Sequence, residues 1–485
     1  MNIIDNDLLS IQEARVLVEN SNEAQKKLSI FSQEKIDEIV NNMLDEIQGH
    51  NEELARLSSE ELDCGIYEDK IIKNRFIIKY LKNSLNKMRC VGIIKRDTEN
   101  KILDVGVPMG VIVAFCSEAS PVSTVIYKTI IAIKSGNSII FNLNTKAKNT
   151  MKKTLDILIK VAEDSGVPKG SISYLSRISL NGSKELINHK YTSLIMNTGV
   201  HEMVKDINKS GKLLIFGGTG NTPAFIERTA DIKKAVKDII ISKCFDNGVM
   251  AGAEQSIIVD SCVTNEVKEE LEKNGGYFMT EEESNSLSKI IFNRDGNFER
   301  EFLGKTPQFL AKRAGFEISS KVKLLISNEK YVSLDNLYSK EKICPVISFY
   351  IEDDWMNACE KCIELLLNER QGHTLVIHSK DEEVVQQFIL KKPVGRILVN
   401  TPGVFGSMGG TTNLFPAMTL GSGLIGRGMT SDNVSPMNLI YVRKVGYEVK
   451  GAEDFLGELS NKRDEQSTPE QVLKNILREI LKEYK

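Results

Sequence analysis

No apolar run in this 485-residue chain approaches the ~18–20 residues that span a bilayer, so no membrane helix is expected. Neither charge sign dominates. Against 63 Lys and Arg stand 66 Asp and Glu, a formal net charge of −3, which leaves no basic excess for a nucleic-acid face. The start, Met1-Asn-Ile-Ile-Asp-Asn-Asp7, lacks the basic opening of a signal peptide, and a cytoplasmic protein is expected. Cysteine is sparse: eight are scattered at irregular spacings, as free thiols rather than a disulfide framework. Cys359-x-x-Cys362 has no second pair and no histidine beside it, so it reads as core packing and no metal site is expected. What remains is a globular composition, 41% hydrophobic and 27% charged, with length for about two to three domains.

Residues 10–62 read as three amphipathic helices, apolar at helical spacing through Ile36, Ile39, Val40, Met43 and Leu44. Leu62-Asp-Cys-Gly-Ile-Tyr-Glu-Asp-Lys70 follows with no evident chemistry of its own. Between 91 and 113, two β-rich runs flank the polar turn Arg96–Lys101, which predicts a hairpin. An exposed hairpin is an unprotected sheet edge, so pairing with another subunit is physically sensible. An α/β alternation then begins. Strands are expected at 110–115, 138–141, 172–175, 193–196 and 213–216, with helices over about 122–134 and around Met151, Leu155, Leu158 and Ala162. This is the pattern of a doubly wound parallel sheet. A second α/β domain fits residues from about 236, with strands near 256–260, 346–350, 374–377 and 396–399.

The stretch between those halves is Phe245-Asp-Asn-Gly-Val-Met-Ala-Gly-Ala-Glu-Gln-Ser256, a glycine turn held between a helix and a strand. It resembles the active-site loop of the CoA-acylating aldehyde dehydrogenases, F-D-N-G-x-x-C-A-S-E-Q. Other matches are collinear over about residues 10–447: Gly65-Ile-Tyr-Glu-Asp-Lys70, Pro121–Lys134, Gly220-Asn-Thr-Pro-Ala224, Glu341-Lys-Ile-Cys-Pro-Val346, Gly372-His-Thr374, Thr419–Gly423 and Ser431–Val434. The resemblance implies the aldehyde dehydrogenase fold. On it, 1–235 form a Rossmann-like cofactor domain with a hairpin arm at about 91–113, and 236–430 a catalytic-type domain. An oligomerisation strand at 431–450, near 437–442, completes a β arm joining a homodimer or tetramer.

It also implies a chemistry: NAD-dependent oxidation of a short-chain aldehyde to its acyl-CoA. A thiolate attacks the aldehyde, an oxyanion hole holds the developing charge, a nicotinamide takes the hydride and CoA cleaves the thioester. The family's cofactor positions correspond to Thr198, Gly199, Gly217, Gly218, Gly220, Asn221 and Glu341. Gly218-Thr-Gly-Asn221 lacks the glutamate base of the hydrolytic dehydrogenases, which points to the CoA-using branch.

The thiol position, however, is Ala251, and the oxyanion-hole Asn is Ser120. Losing one oxyanion donor costs about 2.7–4 kcal/mol of transition-state stabilisation. The T-G-G-P-G turn at the nicotinamide is Thr198-Gly-Val-His-Glu202, and the first glycine of G-V-G-A-G-N is Phe216. The adenosine-side S-P-H-P-R-A is Asn142-Leu-Asn-Thr-Lys-Ala147. Glu341 and His373 are kept. Cys116 and Cys244 stand too far along the chain to replace the thiol and read as buried small hydrophobes. Three readings of Ala251 are open: a pseudoenzyme, an active enzyme carrying an engineered Cys→Ala change, and a structural partner of an active paralogue. Drift at Ser120, Val200, His201, Glu202 and Phe216 favours the pseudoenzyme, with weak or absent NAD and CoA binding.

Residues 451–468 read as a polar linker, and 469–485 as an amphipathic helix with Thr468 as cap and Pro469 at its first position. Val472, Leu473, Ile476, Leu477, Ile480, Leu481 and Tyr484 make one stripe. Such a tail resembles the encapsulation peptides that carry acylating aldehyde dehydrogenases into bacterial microcompartments, where its partner is a shell protein.

Overall fold

The computed structural model describes residues 5–218, 220–369, 372–423, 426, 428–464 and 468–483. The chain divides into two compact units, one of residues 1–92 with 107–441 and one of 93–106 with 442–485.

The first unit is α/β, built on two parallel sheets. In one, five strands lie in the order Ile172–Leu175, Ser138–Asn142, Val111–Cys116, Thr192–Thr198, Leu213–Gly217. Val111-Ile-Val-Ala-Phe-Cys116 is buried throughout, because a parallel strand covered on both faces needs an unbroken apolar run. The chain starts at this central strand, fills one side, then crosses to Thr192–Thr198 on the other. A reversal of this kind opens a crevice beyond the strand ends, where α/β sheets present their sites.

The second sheet has seven strands in the order Gly276–Phe278, Leu324–Asn328, Val346–Glu352, Glu254–Asp260, Thr222–Ile226, Thr374–His378, Arg396–Val399. All its pairings are parallel. Apolar clusters pack its two faces, one around Val236, Ile239 and Ile257, the other around Phe225, Leu365 and Phe388. The sequence reading missed Thr222–Ile226, since proline argues against a central strand. Pro223 is accommodated at a register shift opposite the Glu254–Asp260 strand, where a ladder bond is already lost. The four N-terminal helices are Asn6–Leu28, Gln33–Gly49, Asn51–Leu62 and Tyr67–Leu85.

In the second unit, Gly92–Asp97, Ile102–Pro108 and Ile440–Gly446 form a three-stranded sheet, whose outer residues extend into the first unit's range. Lys444 pairs with Asp104 at 2.7 Å. The last strand begins at 440 rather than 437, because Ser435, Pro436 and Asn438 cap a short 3₁₀ turn over Pro436–Leu439. The segment read as linker is helical over Ala452–Asp464, where good helix formers predominate. Pro469–Glu483 forms the expected terminal helix, and Tyr484 lies outside the described residues. Val472, Leu473, Ile476, Leu477, Ile480 and Leu481 are all exposed. Among the described residues, no helix is long and apolar enough to cross a membrane.

Candidate active site

The organising loop is tightly folded. Asp246, Asn247 and Gly248 have φ of 50°, 53° and 76°, three successive left-handed residues, a conformation that Asp, Asn and Gly tolerate best. A Cβ on Gly248 would stand 2.7 Å from the Cys344 carbonyl oxygen, so a side chain is excluded.

What anchors the loop is the segment 62–74, which shows no chemistry of its own in sequence. Asp246 Oδ1 accepts from the Ile66 amide at 2.7 Å and Lys70 Nζ at 3.2 Å. Its Oδ2 accepts from Lys73 Nζ at 2.7 Å, and its own amide donates to Asp69 at 2.7 Å. Lys70, Lys73 and Asp246 are buried, so one carboxylate is shared by two lysine side chains in a dry setting. The sequence signal was the E-D-K-x-x-K-N spacing, which turns Lys70, Lys73 and Asn74 onto the buried face of their helix.

The loop delivers Val249 and Ala251 to a cleft of about 190 Å³. Ser117, Glu118 and Ala119 reach it from the end of the central strand of the five-stranded sheet, and Thr198 to Glu202 from the neighbouring strand. Glu341 and Ile343 line it before the Val346 strand. The cleft therefore stands at the reversal of strand order.

Of the residues picked from sequence, Ala251, Thr198, Gly199, Gly218 and Glu341 line the cleft. Ser120 is buried just beside it. Its hydroxyl accepts from Lys73 Nζ at 2.7 Å and lies 3.6 Å from Met250 Sδ. Gly217, Gly220 and Asn221 support the wall instead. Asn221 Nδ2 donates to the Ser339 carbonyl at 2.6 Å, and Gly199 N to Gly217 O at 2.9 Å. A Cβ on Gly220 would fall 2.3 Å from His373 Nε2 and 2.7 Å from the Ala251 carbonyl, so only glycine fits. His373 is fully buried, and burial pushes its pKa down to about 3, so the imidazole is neutral. Neither Cys116 nor Cys244 lines the cleft; burial raises the Cys116 pKa, and Cys244 Sγ donates to the Lys323 carbonyl.

The cofactor side is crowded. The His201 ring stands edge-on to Phe216 at 5.4 Å, and burial lowers the His201 pKa against the pull of Glu202. Glu341 Oε1 accepts the Gly220 amide at 2.9 Å. Arg300, missed in the sequence, bridges two carboxylates, Glu202 at 2.9 Å and Glu118 at 3.4 Å. An imidazole and the carboxylates of Glu118 and Glu202 line this part of the cleft, and that bulk and negative charge do not fit a dinucleotide that needs close backbone approach and favourable partners for its phosphates.

Below the loop, Glu254 is fully buried, with Oε1 accepting from the Gly403 amide at 2.7 Å and Oε2 lacking a hydrogen-bond partner. Burial raises its pKa from 4.5 to about 7. A raised folded-state pKa contributes stability that is complete below about pH 4.5 and is lost as pH rises through about 7. Glu254→Gln is expected to flatten the fall in melting temperature between those values; an unchanged slope would contradict the assignment.

Residues 4–276 match the model of the aldehyde dehydrogenase family. The chain is 30% identical to the succinate-semialdehyde dehydrogenase (acetylating) of Clostridium kluyveri, over 92% of this chain and 97% of that protein. It is 33% identical to the bifunctional aldehyde-alcohol dehydrogenase of Escherichia coli (strain K12), covering 92% of this chain and 50% of that one. The chain thus spans about half the length of the bifunctional relatives it matches. Among solved structures, a probable aldehyde dehydrogenase from Listeria monocytogenes EGD-e is 43% identical, with a TM-score of 0.91 and coverage of 93% and 100%.

Proposed function

The chain belongs to the aldehyde dehydrogenase family, and from that premise we propose that it keeps the scaffold of a CoA-acylating member without its thiol chemistry. The observation that carries this is the Ala251 methyl in the cleft, where a nucleophile would stand. A methyl group forms no thiohemiacetal, so no bound aldehyde becomes a hydride donor and no thioester awaits CoA. The surrounding residues support the same reading. The Ser120 hydroxyl is engaged by Lys73, and the His201 ring in the cleft wall packs edge-on against the buried Phe216.

Restoring the thiol tests it. Ala251→Cys is expected to recover only a small part of the NADH formation of an active relative with acetaldehyde, propionaldehyde or succinate semialdehyde plus CoA. Full recovery would show that the other replacements do not impair catalysis. The same replacements disfavour NAD held in the family's manner. Thr198, Gly199, Gly218 and Glu341 are the residues of this chain that would face it. Calorimetric titration is expected to detect no NAD binding in the low-micromolar range, and low-micromolar affinity would contradict the crowding argument.

A structural role beside an active paralogue, in a cytoplasmic oligomer or within a microcompartment, is favoured by a separate observation. The terminal helix exposes its apolar stripe, which needs a partner. A shell protein is the partner proposed, with the β arm joining a homodimer or tetramer.

A further inference from the structure

A serine at a helix N-cap ordinarily accepts a hydrogen bond from an amide of its own first turn. Ser120 caps the helix Pro121–Lys134 and makes no such bond. Its hydroxyl is turned onto the buried Lys73 ammonium at 2.7 Å, within the reach expected of a nucleophile and its base. Lys73 is held in place by Asp246 at 2.7 Å, which supplies the third, orienting group. On its other side the Ser120 hydroxyl lies 3.6 Å from Met250 Sδ, and the residues flanking Met250, Val249 and Ala251, line the cleft together with Ala119. The hydroxyl is thus packed against an unbranched thioether, a side chain that changes rotamer readily and whose two chain neighbours line the cleft.

We propose that Ser120 and Lys73 form a nucleophile–base pair that cleaves short-chain acyl thioesters and activated esters by acyl transfer to the serine. Neutral Lys73 takes the hydroxyl proton as the Ser120 oxygen bonds to the acyl carbon. The carbon–sulfur or carbon–oxygen bond of the leaving group breaks, and Lys73 returns the proton to that group. Water then attacks the acyl-serine with Lys73 again as base, releasing a carboxylic acid and the free serine. Neither an oxidant nor a reductant is required. Burial lowers the Lys73 pKa and the nearby Lys70 charge adds to the lowering, while Asp246 opposes it. The positive end of the Pro121–Lys134 helix favours the anion that develops at the acyl oxygen. The family has an amide side chain in place of Ser120, so the pair belongs to this chain's own replacement.

The proposal rests on the cleft being an acyl site, yet the two readings fail separately. Aldehyde- and CoA-dependent NADH formation would overturn the loss of thiol chemistry alone, and absent serine acylation would overturn this pair alone. The test uses the full chain with p-nitrophenyl acetate, and with an alkyl fluorophosphonate whose adduct is located by peptide mass mapping. The expected result is one phosphonyl group on Ser120 and hydrolysis above background. Ser120→Ala should abolish both. Lys73→Arg keeps the charge beside Asp246 but offers no base, and should lower both rates by ~10²–10⁴-fold. Met250→Ala, which removes the thioether packed against the hydroxyl, should label faster. No adduct on Ser120 in either the native chain or Met250→Ala, or hydrolysis unchanged in Ser120→Ala, would overturn the pair.

Discussion

Replacing Asp246 by Ala is expected to cost the folded first unit about 3–5 kcal/mol, because it leaves buried ammonium groups without their counter-charge. Lys70 and Lys73 both bond this carboxylate, and both are almost fully buried. Asp246 also accepts the Ile66 amide, so its loss unties the 62–74 segment from the loop bearing Ala251. The measurement is the denaturant midpoint of the variant beside that of the parent. A shift worth under about 1 kcal/mol would mean that water enters and solvates the lysines. Replacing Lys70, Lys73 and Asp246 together by apolar residues should recover much of the loss, because buried ion pairs commonly exchange for packed hydrophobes at little net cost.

Deleting everything after Val449 carries the second large effect, on partnership rather than on stability. The stripe on Pro469–Glu483 is exposed at each of Val472, Leu473, Ile476, Leu477, Ile480 and Leu481. Each would contribute ~1.5–3 kcal/mol if fully buried, less the ordering cost of the helix. Since these side chains are exposed within the chain, their removal is expected to leave the melting temperature nearly unchanged. Association with microcompartment shell proteins should disappear, and the tail fused to a reporter should confer it. A clearly lower melting temperature with shell binding intact would instead mean that the stripe is covered within the protein itself.

Much of this molecule was legible in its sequence, for identifiable reasons. The five-stranded sheet was readable because its strands are continuous apolar runs, such as Val111–Cys116, with helices between them. Thr222–Ile226 was not, because the proline that disqualifies a central strand sits at a register shift that only pairing reveals. The proposed vacancy at the thiol position was visible because the flanking Phe245–Gly248 and Glu254-Gln255 match the family's loop. The lysine network behind it was not. Lys70 and Lys73 meet Asp246 across more than 170 positions of chain, and periodicity shows which face is buried without showing what it meets. Ser120 was read as a shortened oxyanion donor. In the structure its hydroxyl accepts from Lys73, a partner contributed by another helix.

On the proposed reading, Ala251 ends the thiol chemistry while the scaffold persists. It is tested most directly by following NADH absorbance with the chain as written, NAD, CoA and each of acetaldehyde, propionaldehyde and succinate semialdehyde. No rate above that of the mixture lacking CoA or aldehyde is expected. Turnover in the ordinary enzymatic range of ~1–10³ s⁻¹ would contradict it.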